Sequence, residues 1–152
     1  MRIILLNFEE KITGMEKTVL LEPGLKISEV EDKIFIIRNQ RVILDRDVAL
    51  LYHVETKRIN EAVRNNPDKF PFGYIYELDK YEKQQLVENF DRFNVLKHST
   101  VTPTAFTEKG LYMLATILKS PQAVNTTLAI IDTFTMTRQL ARTMESLQNV
   151  ED

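Results

Sequence analysis

Lys57, Arg58, Asn60 and Arg64 stand within eight residues of one another, with Thr56 just ahead of them. Each has a defined use against nucleic acid. An asparagine amide bonds adenine bidentately, an arginine fork bonds guanine, and lysine and threonine suit phosphate oxygens. The rest of the chain offers little catalytic chemistry. His53 and His98 lie far apart, there is no cysteine, and neither a glycine-rich phosphate loop nor a metal-ligand spacing occurs. In His98-Ser99-Thr100 a hydroxyl neighbours an imidazole, but adjacent residues rarely present their side chains to one another and no third partner is identifiable. A carboxylate-only, metal-dependent nuclease is the one enzymatic alternative left open. The expectation is a binding protein without metal or cofactor.

The elements that must position these side chains follow from the flanking pattern. Asp45 takes an N-cap place and Asp47 adds negative charge to the first turn of a helix. Leu44, Val48 and Leu51 fall at i, i+4 and i+7 and give that helix one apolar stripe. It stops near Tyr52-His53. His53 occupies a turn position often held by glycine, and histidine accepts a left-handed backbone at some cost. Thr56 or Glu55 caps a second helix with Ile59, Ala62 and Val63 as its buried face. Ala49, Val54, Ile59 and Val63 at these offsets match the packing of a helix-turn-helix unit over residues 45–65, with Val54 directed into the core. Its second helix, 56–65, would enter a DNA major groove about 12 Å wide. Arg41, Arg46 and Lys69 flank the unit and could hold neighbouring phosphates.

Around this unit the chain reads as a small domain. Residues 1–30 are weakly patterned and read as a tail or docking arm, and Met15 offers an alternative start that would make residues 1–14 dispensable. Ile34–Ile37 and residues 42–44 read as a hairpin turning at Arg38-Asn39-Gln40. Pro67 ends the second helix. Phe70 and Phe72 are expected to plug the core beneath a turn, as aromatics dominate core burial. Residues 74–78 alternate as a strand, and Asp79-x-x-Glu82 is a capping box opening a helix that buries Leu86, Val87, Phe90 and Phe93. A polar loop spans 94–102. Residues 104–106 add a short strand, and Thr107 caps a helix in which Gly110 signals close packing. Ser120 and Pro121 open a last helix running to about Gln148. Val124, Leu128, Ile131 and Phe134 line one side of it, continued by Leu140, Met144 and Leu147.

Bulk composition fits a soluble globular chain: 43% hydrophobic and 28% charged residues in 152. No apolar run nears the roughly 20 residues of a membrane span, and Ile3–Leu6 is too short for a signal-peptide core of about 7–15 residues. Net charge is −2. By segment it is −3 over residues 1–32 (4 basic, 7 acidic), +3 over 33–69 (8 and 5) and −2 over 70–152 (8 and 10). The basic excess therefore coincides with the two-helix unit.

Three blocks carry a resemblance: IFIIRNQRVILDRDVALLYHVETKRINEAVRNNPDKFP, YIYELDKYEKQQLVENFDRF and AFTEKGLYMLATILKSPQAVNTTLAIIDTF. In this order, from about Glu31 to Arg142, the chain resembles the ORF-six N-terminal domain of phage and prophage proteins, a relative of the KilA-N domain. The resemblance implies a small α+β DNA-binding domain of phage regulators or antirepressor-like proteins. It implies DNA contact by Thr56, Lys57, Arg58, Asn60 and Arg64. His53 in place of the usual turn glycine departs from the family pattern.

The fold expected is α+β: a small mixed sheet packed with the two-helix unit, then a C-terminal helical pair ending in a long helix. Residues 1–30 form an arm, 31–120 the DNA-binding domain and 121–152 an oligomerisation helix. The expected partners are double-stranded DNA and a second copy of the chain through that helix. The alternative is a protein-interaction module binding another regulator. The expected location is the bacterial cytoplasm, at the nucleoid.

Overall fold

A computed structural model describes residues 27–151. The Met15 question and nearly all of the expected arm lie outside the described residues. The last residues of that arm are helical: α1 (Ile27–Glu31) buries Val30 and packs on the C-terminal helix, so the folded unit begins earlier than residue 31.

Four strands form one sheet: β1 (Ile34–Ile37), β2 (Gln40–Leu44), β3 (Ile75–Glu77) and β4 (Thr104–Phe106), in the order β1-β2-β4-β3. The fold class is α+β as expected, but every pairing is antiparallel rather than mixed. Strand alternation sends successive side chains to opposite faces. Ile34, Ile43 and Phe106 join one core cluster; Phe35, Val42, Leu44 and Ala105 join the other. Both faces of the sheet are thus covered, which explains the unbroken apolar run of β1. The hairpin turn has two residues, not three, since Ile37 pairs directly with Gln40. Arg38 and Asn39 both take positive φ, as a primed two-residue turn requires. The Arg38 guanidinium is held there by Glu82 at 2.8 and 2.9 Å and by the Glu77 carbonyl at 3.1 Å.

Helices α2 (Asp45–Tyr52), α3 (Thr56–Arg64), α5 (Glu108–Leu118) and α6 (Pro121–Glu151) contribute to the first cluster. Helix α4 (Lys80–Asn89) and the 3-10 segment Asp91–Leu96 close the second. The Asp79–Glu82 capping box forms as the sequence indicates. The helix nevertheless ends before Phe90. There the backbone becomes extended, and the following 3-10 turn brings Phe93 to 5.5 Å from the Phe35 ring and 6.2 Å from Phe90. The loop expected from Asn94 is therefore partly ordered turn. Between α3 and β3, the 3-10 turn Pro67–Lys69 precedes Phe70, which is buried on Phe106.

Helix α6 divides into two parts. Ala123, Ile130 and Phe134 sit in the first cluster with the side chains of α2 and α3, so the core extends past the expected boundary at residue 120. Half of the expected stripe holds: Ile131 and Phe134 are buried, but Val124 and Leu128 are exposed, and Thr126, Thr127, Thr133 and Thr137 are buried in addition. Of these, Thr127, Thr133 and Thr137 each return a hydroxyl to the carbonyl four residues back, at 2.8–3.0 Å. A hydroxyl so satisfied lets the side chain pack through its methyl group. Beyond Thr137, Leu140 and Met144 are half-buried and Leu147 is exposed.

Candidate nucleic-acid interface

The α2–α3 unit takes its angle from a left-handed turn. His53 has φ 58 and ψ 42. Its N–H bonds back to Leu50 at 3.3 Å, and the Val54 N–H bonds to the Ala49 carbonyl at 3.0 Å, the pairing of a Schellman motif. In such a motif the residue after the left-handed position lies against the end of its own helix. Val54 accordingly stays 37% exposed instead of pointing into the core. Leu44, not Asp45, is the N-cap of α2, and Asp45 is the first helical residue. Tyr52, at the end of α2, shares a buried hydrogen bond with Thr127 of α6. Burial pushes its phenol up to about 12, the Thr127 bond opposing this.

Helix α3 buries Ile59 and Ala62, with Val63 packed partly against the core. Lys57, Arg58 and Arg64 are exposed. Lys57, Asn60, Glu61 and Arg64 fall at i, i+3, i+4 and i+7 and share the outward face. Glu61 sits 3.9 Å from Lys57 and tempers the positive field. The first turn of α3 is built against its own stability. It holds no acidic residue, carries Lys57 and Arg58 beside the positive end of the helix dipole, and its N-cap, Glu55, makes no side-chain capping bond. Thr56 is thus the first helical residue and neither it nor Glu55 provides the expected cap.

Asn60 lies beside Asp45, whose carboxylate accepts the Arg46 backbone N–H at 2.8 Å. Burial pushes the Asp45 carboxyl above its ordinary range, and Asn60 and the Arg46 N–H pull it partly back. The Asn60 amide carries the N–H and carbonyl oxygen that a bidentate contact needs. Arg46, Thr56 and Asn60 line one open cavity of about 440 Å³ together with Asp45, Leu50 and Val54.

The remaining sequence candidates sit elsewhere. The Lys69 ammonium donates to the Thr116 hydroxyl of α5 at 2.9 Å. Arg41 faces Glu108 of α5 and Arg138, Arg142 and Glu145 of α6. It lines a separate cavity, apart from the one that Arg46, Thr56 and Asn60 share. Phe72, expected in the core, is fully exposed. Sequence reasoning missed that the fold sets buried Asp45 beside Asn60.

A small α+β domain that presents a cationic helix beside a sheet covered on both faces is the class these features define. The chain belongs to the ORF6N domain family, whose model matches residues 32–117. This places it among phage-type proteins. The match ends within α5, short of the reach to Arg142 expected from the three blocks. No curated protein and no solved structure matches the chain. Among the described residues no helix is long and apolar enough to cross a membrane.

Proposed function

We propose that the chain is a non-catalytic DNA-binding regulator in which α2 and α3 act as a helix-turn-helix unit and α3 enters the major groove. The observation that carries this reading is α3 itself. It buries two residues, leaves Lys57 and Arg58 in solvent at an N-terminus with no side-chain cap bond, and leaves Arg64 in solvent in its last turn. Asn60 reads a base edge, and Thr56 and Arg46 reach phosphates at the start of the helix. Lys69 joins the phosphate contacts by exchanging its Thr116 bond for a phosphate oxygen. The protein would work at the bacterial nucleoid.

The outer part of α6 supports self-association in the same reading. Leu140, Met144 and Leu147 follow the four-then-three spacing of a helical seam. A second copy would double the DNA contact and favour a two-fold symmetric site.

Fluorescence anisotropy on mixed duplex DNA across a salt series tests the DNA contact. Changing Arg58 and Arg64 together to Ala should weaken binding and reduce the log–log salt slope by about 0.9 for each phosphate no longer neutralised. Both side chains are exposed, so the thermal midpoint should hold. Unchanged binding by the double variant would remove α3 as the recognition helix. A flat salt response with capture of another regulator would favour an antirepressor-like interaction module on the same surface.

A further inference from the structure

Phe72 is the most exposed large apolar side chain of the described residues, at 100%. It stands at the tip of a closed turn. The Tyr74 N–H bonds the Pro71 carbonyl at 3.0 Å, and Gly73 supplies the positive φ, 90°, that a type II turn needs at its third position. The ring is therefore presented by an ordered backbone. Beside it lies a cavity of about 460 Å³ whose walls include Arg41, Tyr76, Glu108, Lys109 and Arg138. Three cations face one carboxylate there, and that carboxylate is already paired with Arg138.

Arg41 is the most strained member of the group. Its Nε is buried without a hydrogen-bond partner. Burial disfavours its charge, and Arg138 and Arg142 add repulsion that Glu108 and Glu145 only partly offset. An anion in this cavity would give the guanidinium the partner it lacks and relieve the crowding of like charge.

We propose that this cavity is a second nucleic-acid site, separate from α3, which takes a phosphodiester on Arg41 and Lys109 and stacks one unpaired base on Phe72. Cationic walls beside a presented aromatic face are the combination that binds single strands without sequence readout. A duplex keeps its bases stacked inside, so the site selects an unpaired or displaced strand. The inference rests on the nucleic-acid reading of the chain for its class of ligand, not for its residues.

The test is anisotropy of the full chain on a labelled oligothymidine, beside mixed duplex DNA. Phe72→Ala should weaken oligothymidine binding roughly 5- to 150-fold, the range of a single base stack. An exposed ring contributes nothing to the core, so its thermal midpoint should stay at the wild-type value. Arg41→Gln should weaken binding and lower the salt slope by about 0.7, one phosphate on a single strand. The Arg58→Ala, Arg64→Ala double variant should keep oligothymidine binding while losing duplex. The proposal is overturned if oligothymidine does not bind at low salt, or if Phe72→Ala and Arg41→Gln both bind it as wild type does. Phe72-dependent oligothymidine binding without duplex binding would uphold this site and refute the recognition helix.

Discussion

Asp47 shows how one buried charge is held and how it reports on pH. It is 1% exposed. One carboxylate oxygen accepts from Arg92 at 2.9 Å, and the other is buried without a partner. Arg92 in turn lies 4.3 Å from the Phe93 ring centroid and 5.2 Å from that of Phe35, so a single guanidinium ties α2 to the aromatic cluster on the far side of the sheet. Burial raises the Asp47 carboxyl above its ordinary 3.8, and Arg92 opposes the shift. A raised folded value means that the folded chain takes up this proton before the unfolded chain does. The group's contribution to stability therefore grows as pH falls from neutral through the folded value, and levels off below the unfolded one. Asp47→Asn removes this titration. Urea denaturation of both proteins between pH 7 and pH 4 should show the wild type gaining on the variant as pH falls; a constant difference would mean that Asp47 titrates normally. Glu82 runs the other way, because Arg38 holds it below its ordinary value. Its contribution is lost as pH falls from the ordinary value, 4.5, through the lower folded one, so it is opposite in sign to that of Asp47.

Among the elements, α5 depends on one missing side chain. The Tyr74 carbonyl accepts the Thr107 N–H at 3.1 Å and the Thr107 hydroxyl at 2.9 Å, which seats the helix start on the β3 entry. A Cβ on Gly110 would overlap that same carbonyl oxygen. Backbone must then move, and Gly110→Ala should cost about 1–3 kcal/mol despite alanine's better helix propensity. A thermal melt decides the sign: a rise in midpoint would show that α5 does not need this approach. The glycine's role was legible in the sequence, as were β1, β4, the capping box at Asp79 and the start of α6 at Ser120. Each of these rests on local chemistry, a period or a cap. Three features were not legible, for one shared reason. Val54 stays half out because the Schellman turn directs it. Phe72 stands in solvent because Gly73 sets the turn below it. The threonines of α6 are buried because their hydroxyls bond their own helix. In all three, backbone geometry overrides what residue polarity suggests. The same holds for the site. The exposed cations of α3 could be read from spacing, whereas the placement of Asp45 beside Asn60 and the convergence of Arg41 with Arg138 and Arg142 need the tertiary fold.

At the scale of the whole molecule, α6 serves two ends. Its 31 residues span about 46 Å at 1.5 Å per residue, longer than the core it crosses. The first half carries Ile130 and Phe134 into the core and holds Tyr52 of α2 through Thr127, so the α2–α3 unit is anchored on it. Cutting the chain after Ser120 would strip that core and could not separate folding from association. The outer half allows a cleaner change. Leu147 is 55% exposed, and Leu140 and Met144 lie two turns and one turn before it on the same side. If this seam joins two copies, Leu147→Asp places a desolvated charge in the interface and should shift the protein from dimer to monomer. The exposed position predicts little change in the monomer's own stability. Analytical ultracentrifugation reads the mass directly. Duplex anisotropy then reads the consequence, since a monomer engages a single half-site and its salt slope falls with the number of phosphates engaged. A Leu147→Asp protein that still sediments as a dimer would exclude this seam. A monomeric wild type with unchanged duplex binding would show that one α2–α3 unit suffices.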